Sequence, residues 1–76
     1  MITAPQNPTT EQVLATLLAT LEETLGTAHA QTAEACGYIN AGNRNAAIGT
    51  LIDLDRLLAD ATALRGTVLA LHRRIG

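Results

Sequence analysis

The stretch Asn40-Ala41-Gly42-Asn43-Arg44-Asn45 decides how this chain folds, because a long helical pattern stops there and a second one begins. Gly42 suits the left-handed position that commonly follows the C-terminus of a helix. Asn43 or Asn45 then offers the side-chain oxygen that caps the next helix. The stretch therefore predicts a turn at residues 41–44 between two helices.

On each side of this turn, apolar residues recur in alternating steps of three and four, which is typical of a helix that buries one side against a partner. Before the turn, the stripe consists of Leu14, Leu18, Leu21, Leu25, Ala28, Thr32, Ala35 and Ile39. After the turn, it consists of Ala47, Thr50, Leu54, Leu57, Ala61, Leu64, Val68, Leu71 and Ile75. The pattern predicts an all-α fold, a long antiparallel helical hairpin with helices at about 9–40 and 45–74.

The start of the first helix has two possible signals. Asn7 can cap it with Pro8 in the first turn, or Thr9 can cap it with Gln12 completing a capping box. A chain of 76 residues allows one domain at most. We expect a flexible tail at residues 1–7 and a helical hairpin domain at residues 8–76.

The composition favours a cytoplasmic protein. Cys36 is the only cysteine, so the chain has no internal disulfide. The N-terminus lacks the basic and apolar segments of a signal peptide. No window approaches the roughly 20 continuous apolar residues of a membrane-spanning helix, so we expect no membrane partner.

Glycines inside the helices predict a close approach near the turn. Folding the chain about Gly42 places Gly37 near Ala46 and Ala47, and Gly49 near Ala35 and Cys36. The same construction places Gly26 opposite Leu58. We therefore expect the helices to be tightly spaced at the turn end and separated by leucines at the other end.

The residues that carry chemistry form no recognisable site. The chain has no serine, so it has no serine nucleophile. Glu22, His29 and Cys36 recur at seven-residue steps, but each step rises about 10.5 Å, too far for all three to ligate one metal ion. We expect no enzyme activity, no catalytic residue, no metal site and no cofactor.

Apolar residues exceed what one seam between two helices can cover, and such a surplus usually marks an interface. The simplest closed arrangement is a homodimer in which two hairpins form an antiparallel four-helix bundle. The hypothesis is a non-enzymatic protein–protein interaction module, such as a small adaptor, co-chaperone or regulator, whose partner is another helical protein. The predicted partner-binding residues are Leu14, Leu17, Leu18, Ile48, Leu51, Ile52 and Leu58.

The alternative hypothesis is a nucleic-acid-associated regulator. In that case a dimer presents Arg44, Arg65, Arg73 and Arg74 on one side. The net charge of −2 and the absence of lysine disfavour it, because phosphate recognition normally requires a basic surface. The charge is also uneven: residues 1–40 carry four Glu and no Arg, whereas residues 41–76 carry five Arg and three Asp.

Overall fold

The computed structural model describes residues 9–75, which form two long helices packed side by side. Helix α1 is Thr10–Asn40 and helix α2 is Arg44–Ile75. The described residues include no strand, so the all-α hairpin predicted from the sequence is confirmed. The predicted tail at residues 1–7 lies outside the described residues.

Helix α1 begins with a capping box. The Gln12 N–H donates to Thr9 Oγ1 at 3.1 Å, and the Thr9 N–H donates to the Gln12 side-chain oxygen at 2.8 Å. Each bond satisfies a backbone donor that the first turn of a helix leaves unpaired. Of the two start signals in the sequence, the structure uses the one at Thr9.

The turn has the hydrogen bonds of a Schellman motif. The Asn43 N–H donates to the Tyr38 carbonyl at 2.8 Å, and the Gly42 N–H donates to the Ile39 carbonyl at 3.1 Å. Gly42 has φ +80°, a backbone conformation that costs glycine little. Asn43 then caps α2, because its Oδ1 accepts from the Ala46 N–H at 3.1 Å. Both cap predictions are confirmed.

The two helices pack against each other along a seam. The residues that form it recur at steps of three and four along each helix. Helix α2 contributes the stripe predicted from the sequence. All eight of its described side chains are buried or half-buried: Ala47, Thr50, Leu54, Leu57, Ala61, Leu64, Val68 and Leu71. The predicted member Ile75 has no described side chain.

Helix α1 contributes only half of its predicted stripe. Its buried or half-buried residues at the seam are Leu14, Leu17, Leu21, Thr24, Ala28, Gln31, Ala35 and Tyr38. The predicted alternate members Leu18, Leu25, Thr32 and Ile39 are exposed instead. The two stripes share every seventh residue, so a small rotation of α1 about its axis exchanges one for the other.

The most buried residues of the seam are small. Only four apolar residues in the described part of the chain fall below 9% exposure, and all are alanines: Ala28, Ala35, Ala47 and Ala61. Alanines in this position let two helix backbones approach closely. No large side chain in residues 9–75 is fully buried, so the seam alone supplies little apolar burial.

The glycines do not line this seam, which corrects the sequence prediction. A Cβ atom added at Gly26, Gly37 or Gly49 meets nothing within 4 Å. All three residues are exposed, because they lie on the sides of the helices that face away from the seam. The most buried positions of the seam are alanines instead.

Candidate protein interface

One side of the hairpin carries most of its exposed large apolar side chains, and we call this side the apolar face. On α1 it consists of Leu18, Leu25, Thr32, Cys36 and Ile39, and on α2 of Ile48, Leu51, Leu58 and Leu69. The leucines and isoleucines of this set are 36–53% exposed. Single exposed leucines are ordinary on a protein surface, but a cluster of them on one side makes that side a candidate contact site.

The apolar face contains a groove next to the turn. Thr32, Cys36 and Ile39 line it from α1, and Ile48 and Leu51 line it from α2. The seam residues Ala35 and Ala47 form its floor. Because the floor is alanine, the flanking isoleucines stand above it and project away from the hairpin.

Thr32 adds to the apolar character of this groove. Its hydroxyl donates to the Ala28 carbonyl of its own helix at 2.8 Å. A threonine that is satisfied in this way presents its methyl group to its surroundings. The polar atom of Thr32 therefore needs no partner from outside the hairpin.

A second groove lies near the middle of the same face. Leu21 and Leu25 line it from α1, and Leu58, Thr62 and Arg65 line it from α2, with Ala61 at its floor. Leu25 precedes Thr32 by seven residues and Leu58 follows Leu51 by seven, so both grooves lie along the same pair of stripes. Arg65 follows Leu58 by seven residues and places a positive charge at the end of this groove that lies further from the turn.

The opposite side of the hairpin, which we call the polar face, is different in character. On α1 it carries Thr20, Thr27 and Glu34, and on α2 Asp53, Asp60 and Thr67, all exposed. Thr20, Thr27 and Thr67 each donate to a carbonyl of their own helix, at 2.9–3.1 Å. The hairpin is therefore amphipathic as a whole, with one apolar and one polar side.

The structure distributes the predicted partner-binding residues between the seam and the surface. Leu14 and Leu17 are half-buried against α2, so the hairpin itself uses much of their apolar area. Leu18, Ile48, Leu51 and Leu58 lie on the apolar face. Ile52 is 70% exposed and lies beyond Ile48 on α2, at the edge of that face.

The sequence interpretation placed Leu25 and Ile39 in the seam and therefore missed them as surface residues. The same holds for Thr32, which the groove near the turn now includes. A signal was present in the sequence: Leu17, Thr24, Gln31 and Tyr38 continue a second seven-residue pattern, one residue before the predicted one. A helix with two overlapping stripes has more apolar surface than one partner helix can cover.

The charges differ strongly between the two helices. Helix α1 carries four Glu and no Arg, a formal charge of −4, whereas α2 carries five Arg and three Asp, a formal charge of +2. At the border of the apolar face, α1 presents Glu22 and His29, and α2 presents Asp55 and Arg65. The two borders can therefore complement each other.

The possible metal ligands considered in the sequence analysis lie far apart in the structure. Glu22, His29 and Cys36 are exposed at successive seven-residue steps along α1. Within residues 9–75, no group of three or more His, Cys, Asp or Glu side chains has the geometry to hold a metal ion.

The arginines of the alternative hypothesis point in several directions from one hairpin. Arg73 and Arg74 are consecutive, so they project about 100° apart around α2, and Arg65 borders the apolar face. Arg44 begins the same helix and lies about 45 Å from Arg74 at 1.5 Å per residue. A single hairpin does not assemble these four residues into one basic surface.

Comparison with protein-family models, with curated proteins and with solved structures found no match. Neither α1 nor α2 is apolar enough over its length to cross a membrane, in the part of the chain that the structure describes.

Proposed function

We propose that this chain is a non-enzymatic protein–protein interaction module that works by self-association, two hairpins joining through their apolar faces into a four-helix bundle. The apolar face is the observation that carries the proposal. Seven leucine and isoleucine side chains line it at 36–53% exposure, while the seam buries only alanines below 9%. A second hairpin covers these side chains and supplies the core that one hairpin lacks.

A second copy suits this face better than a small ligand does. Both grooves are open and shallow, and they follow the stripes along the helices. A helical partner fills such grooves with side chains at three- and four-residue spacing, as in other helix-in-groove contacts. The resulting bundle has its polar faces outside and serves as an adaptor, co-chaperone or regulator that binds other helical proteins.

Charged substitutions on the apolar face test the proposal. We expect the wild-type chain to have the mass of two chains in multi-angle light scattering, and the double variant Leu51→Glu, Leu58→Glu to have the mass of one. Dimerisation of this variant buries two carboxylates per chain without oppositely charged partners, which disfavours the dimer. The matched control is Ala63→Glu with Ala70→Glu, which adds the same charges at exposed positions of α2 and leaves the dimer mass unchanged.

A milder variant separates loss of contact from loss of folding. Ile48 is 53% exposed in the hairpin, so Ile48→Gln leaves the seam intact. We expect its dimer dissociation constant to rise roughly tenfold, the equivalent of about 1.4 kcal/mol, with unchanged helical circular dichroism at high concentration. A wild-type chain that stays monomeric at millimolar concentration contradicts the proposal.

A further inference from the structure

We infer that the second copy lies with its turn at the same end of the bundle, so that α1 of each chain packs against α2 of the other. This inference rests on the proposed self-association and adds the arrangement of the two copies. It follows from the charges of the helices and from the residues that border the apolar face.

Two arrangements bring two apolar faces together around a two-fold axis. If the axis runs along the helices, both turns lie at one end and each α1 packs against the second copy's α2. If the axis crosses the helices, the turns lie at opposite ends, α1 packs against α1 and α2 packs against α2. Neighbouring helices are antiparallel in both, so helix direction does not distinguish them.

Charge does distinguish them. Helix α1 carries four Glu and no Arg or Lys, and α2 has a formal charge of +2. The opposite-end arrangement places two helices of charge −4 side by side, about 10 Å apart. The same-end arrangement gives every helix two neighbours of opposite net charge, and complementary charge favours one pairing over its rival.

The borders of the apolar face agree with the same arrangement. A two-fold axis along the helices preserves the height of each residue in the bundle. Leu21 and Arg65 line the same groove, so Glu22, the next residue after Leu21, lies near the height of Arg65. In the same-end dimer, Glu22 of each chain therefore lies beside Arg65 of the second copy.

The groove near the turn completes the contact. Ile39 and Ile48 line it from opposite helices, so they too share a height. In the same-end arrangement, Ile39 of one chain meets Ile48 of the second copy above the alanine floor. Each chain thereby places isoleucine side chains in the groove of the other.

A distance between spin labels in the two turns tests this inference. The label is attached at Asn45→Cys in a Cys36→Ala background, at an exposed position beside the turn. We expect pulsed electron–electron double resonance to give a distance below about 30 Å between the two labels. The two turns are neighbours in this arrangement, in a bundle with a helix spacing of about 10 Å. Turns at opposite ends are separated by about 45 Å, the length of a helix of this size at 1.5 Å per residue.

A label at Ala63→Cys provides the matched control. This exposed residue lies near the middle of α2, so its distance is short in either arrangement and reports only that a dimer is present. A short Ala63 distance with a 45 Å distance at the turn overturns the arrangement and leaves the proposed self-association standing. A one-chain mass with no measurable distance at either site overturns both.

Discussion

Gln31 is the residue at which the seam departs most from an apolar interface. Its Oε1 is shut off from solvent and has no hydrogen-bond partner among the described residues. It lies between Ala28 and Ala35 in the seam of α1. A buried acceptor without a partner costs about 1–3 kcal/mol relative to water.

We expect Gln31→Leu to raise the free energy of unfolding by about 1–2 kcal/mol, because it removes this unpaired oxygen and adds apolar area to the seam. Urea denaturation of variant and wild type at one protein concentration measures the effect. Glu23→Leu is the control, since Glu23 is exposed on the same helix and its replacement is expected to stay within about 0.5 kcal/mol of the wild type. Equal stability of Gln31→Leu and the wild type contradicts the interpretation of Gln31.

At the scale of the helices, the glycines offer a test of which surfaces are in contact. Gly37 and Gly49 are helical and exposed, and an added Cβ meets nothing within 4 Å at either site. We expect Gly37→Ala and Gly49→Ala each to stabilise the chain by about 0.5–1 kcal/mol, because alanine restricts the unfolded chain and favours the helix. Thermal unfolding followed by circular dichroism measures both changes.

The opposite result is expected at Gly42. Its φ of +80° lies in the left-handed region, where a side chain is unfavourable by roughly 1 kcal/mol. Gly42→Ala therefore lowers the unfolding temperature, although its Cβ also meets nothing within 4 Å. Destabilisation by Gly37→Ala or Gly49→Ala, of the size seen at Gly42, is evidence that these glycines do face another helix.

The helices also show how far the sequence predicts the fold. Their ends follow from local chemistry, at Thr9 and at Gly42 with Asn43, and the sequence predicted these to within two residues. The stripe of α2 is predictable because only one run of residues at three- and four-residue spacing avoids charged side chains, whereas its neighbours include Asp55 or Arg65. Helix α1 has two such runs that share Leu14, Leu21, Ala28 and Ala35, so spacing alone does not identify the one that α2 covers.

The contact surface was predictable only in part for the same reason. Ile48, Leu51 and Leu58 lie outside the stripe of α2 and were identified as surplus. The spacing places Leu25 and Ile39 in the seam, because the sequence does not specify the rotation of α1 about its axis. That rotation is a property of two helices packed together, and it brings the surplus of both helices to one side.

At the scale of the whole molecule, the proposed dimer predicts a response to charge reversal at the border of the apolar face. In the same-end arrangement, two symmetric pairs join Glu22 to Arg65 across the interface. Glu22→Arg is expected to raise the dissociation constant about three- to tenfold, since each exposed pair contributes about 0.2–1 kcal/mol and there are two. Adding Arg65→Glu to the same chain restores the wild-type value, and Glu23→Arg, which points away from the apolar face, is the control.

Mixing two single variants shows whether these pairs form between chains or within one. Homodimers of Glu22→Arg bring arginine to arginine at the border, and homodimers of Arg65→Glu bring glutamate to glutamate. In a mixed dimer, Arg at position 22 faces Glu at position 65, while the wild-type Glu22 and Arg65 face each other at the second site.

The contacts inside each hairpin are the same in mixed and unmixed dimers, so an excess of mixed dimers over the statistical half reports contacts between chains alone. Native mass spectrometry measures that fraction, and we expect the excess to shrink at 0.5 M salt because these charges are exposed. A statistical mixture at low salt, in chains that dimerise, contradicts the pairing of Glu22 with the second copy's Arg65.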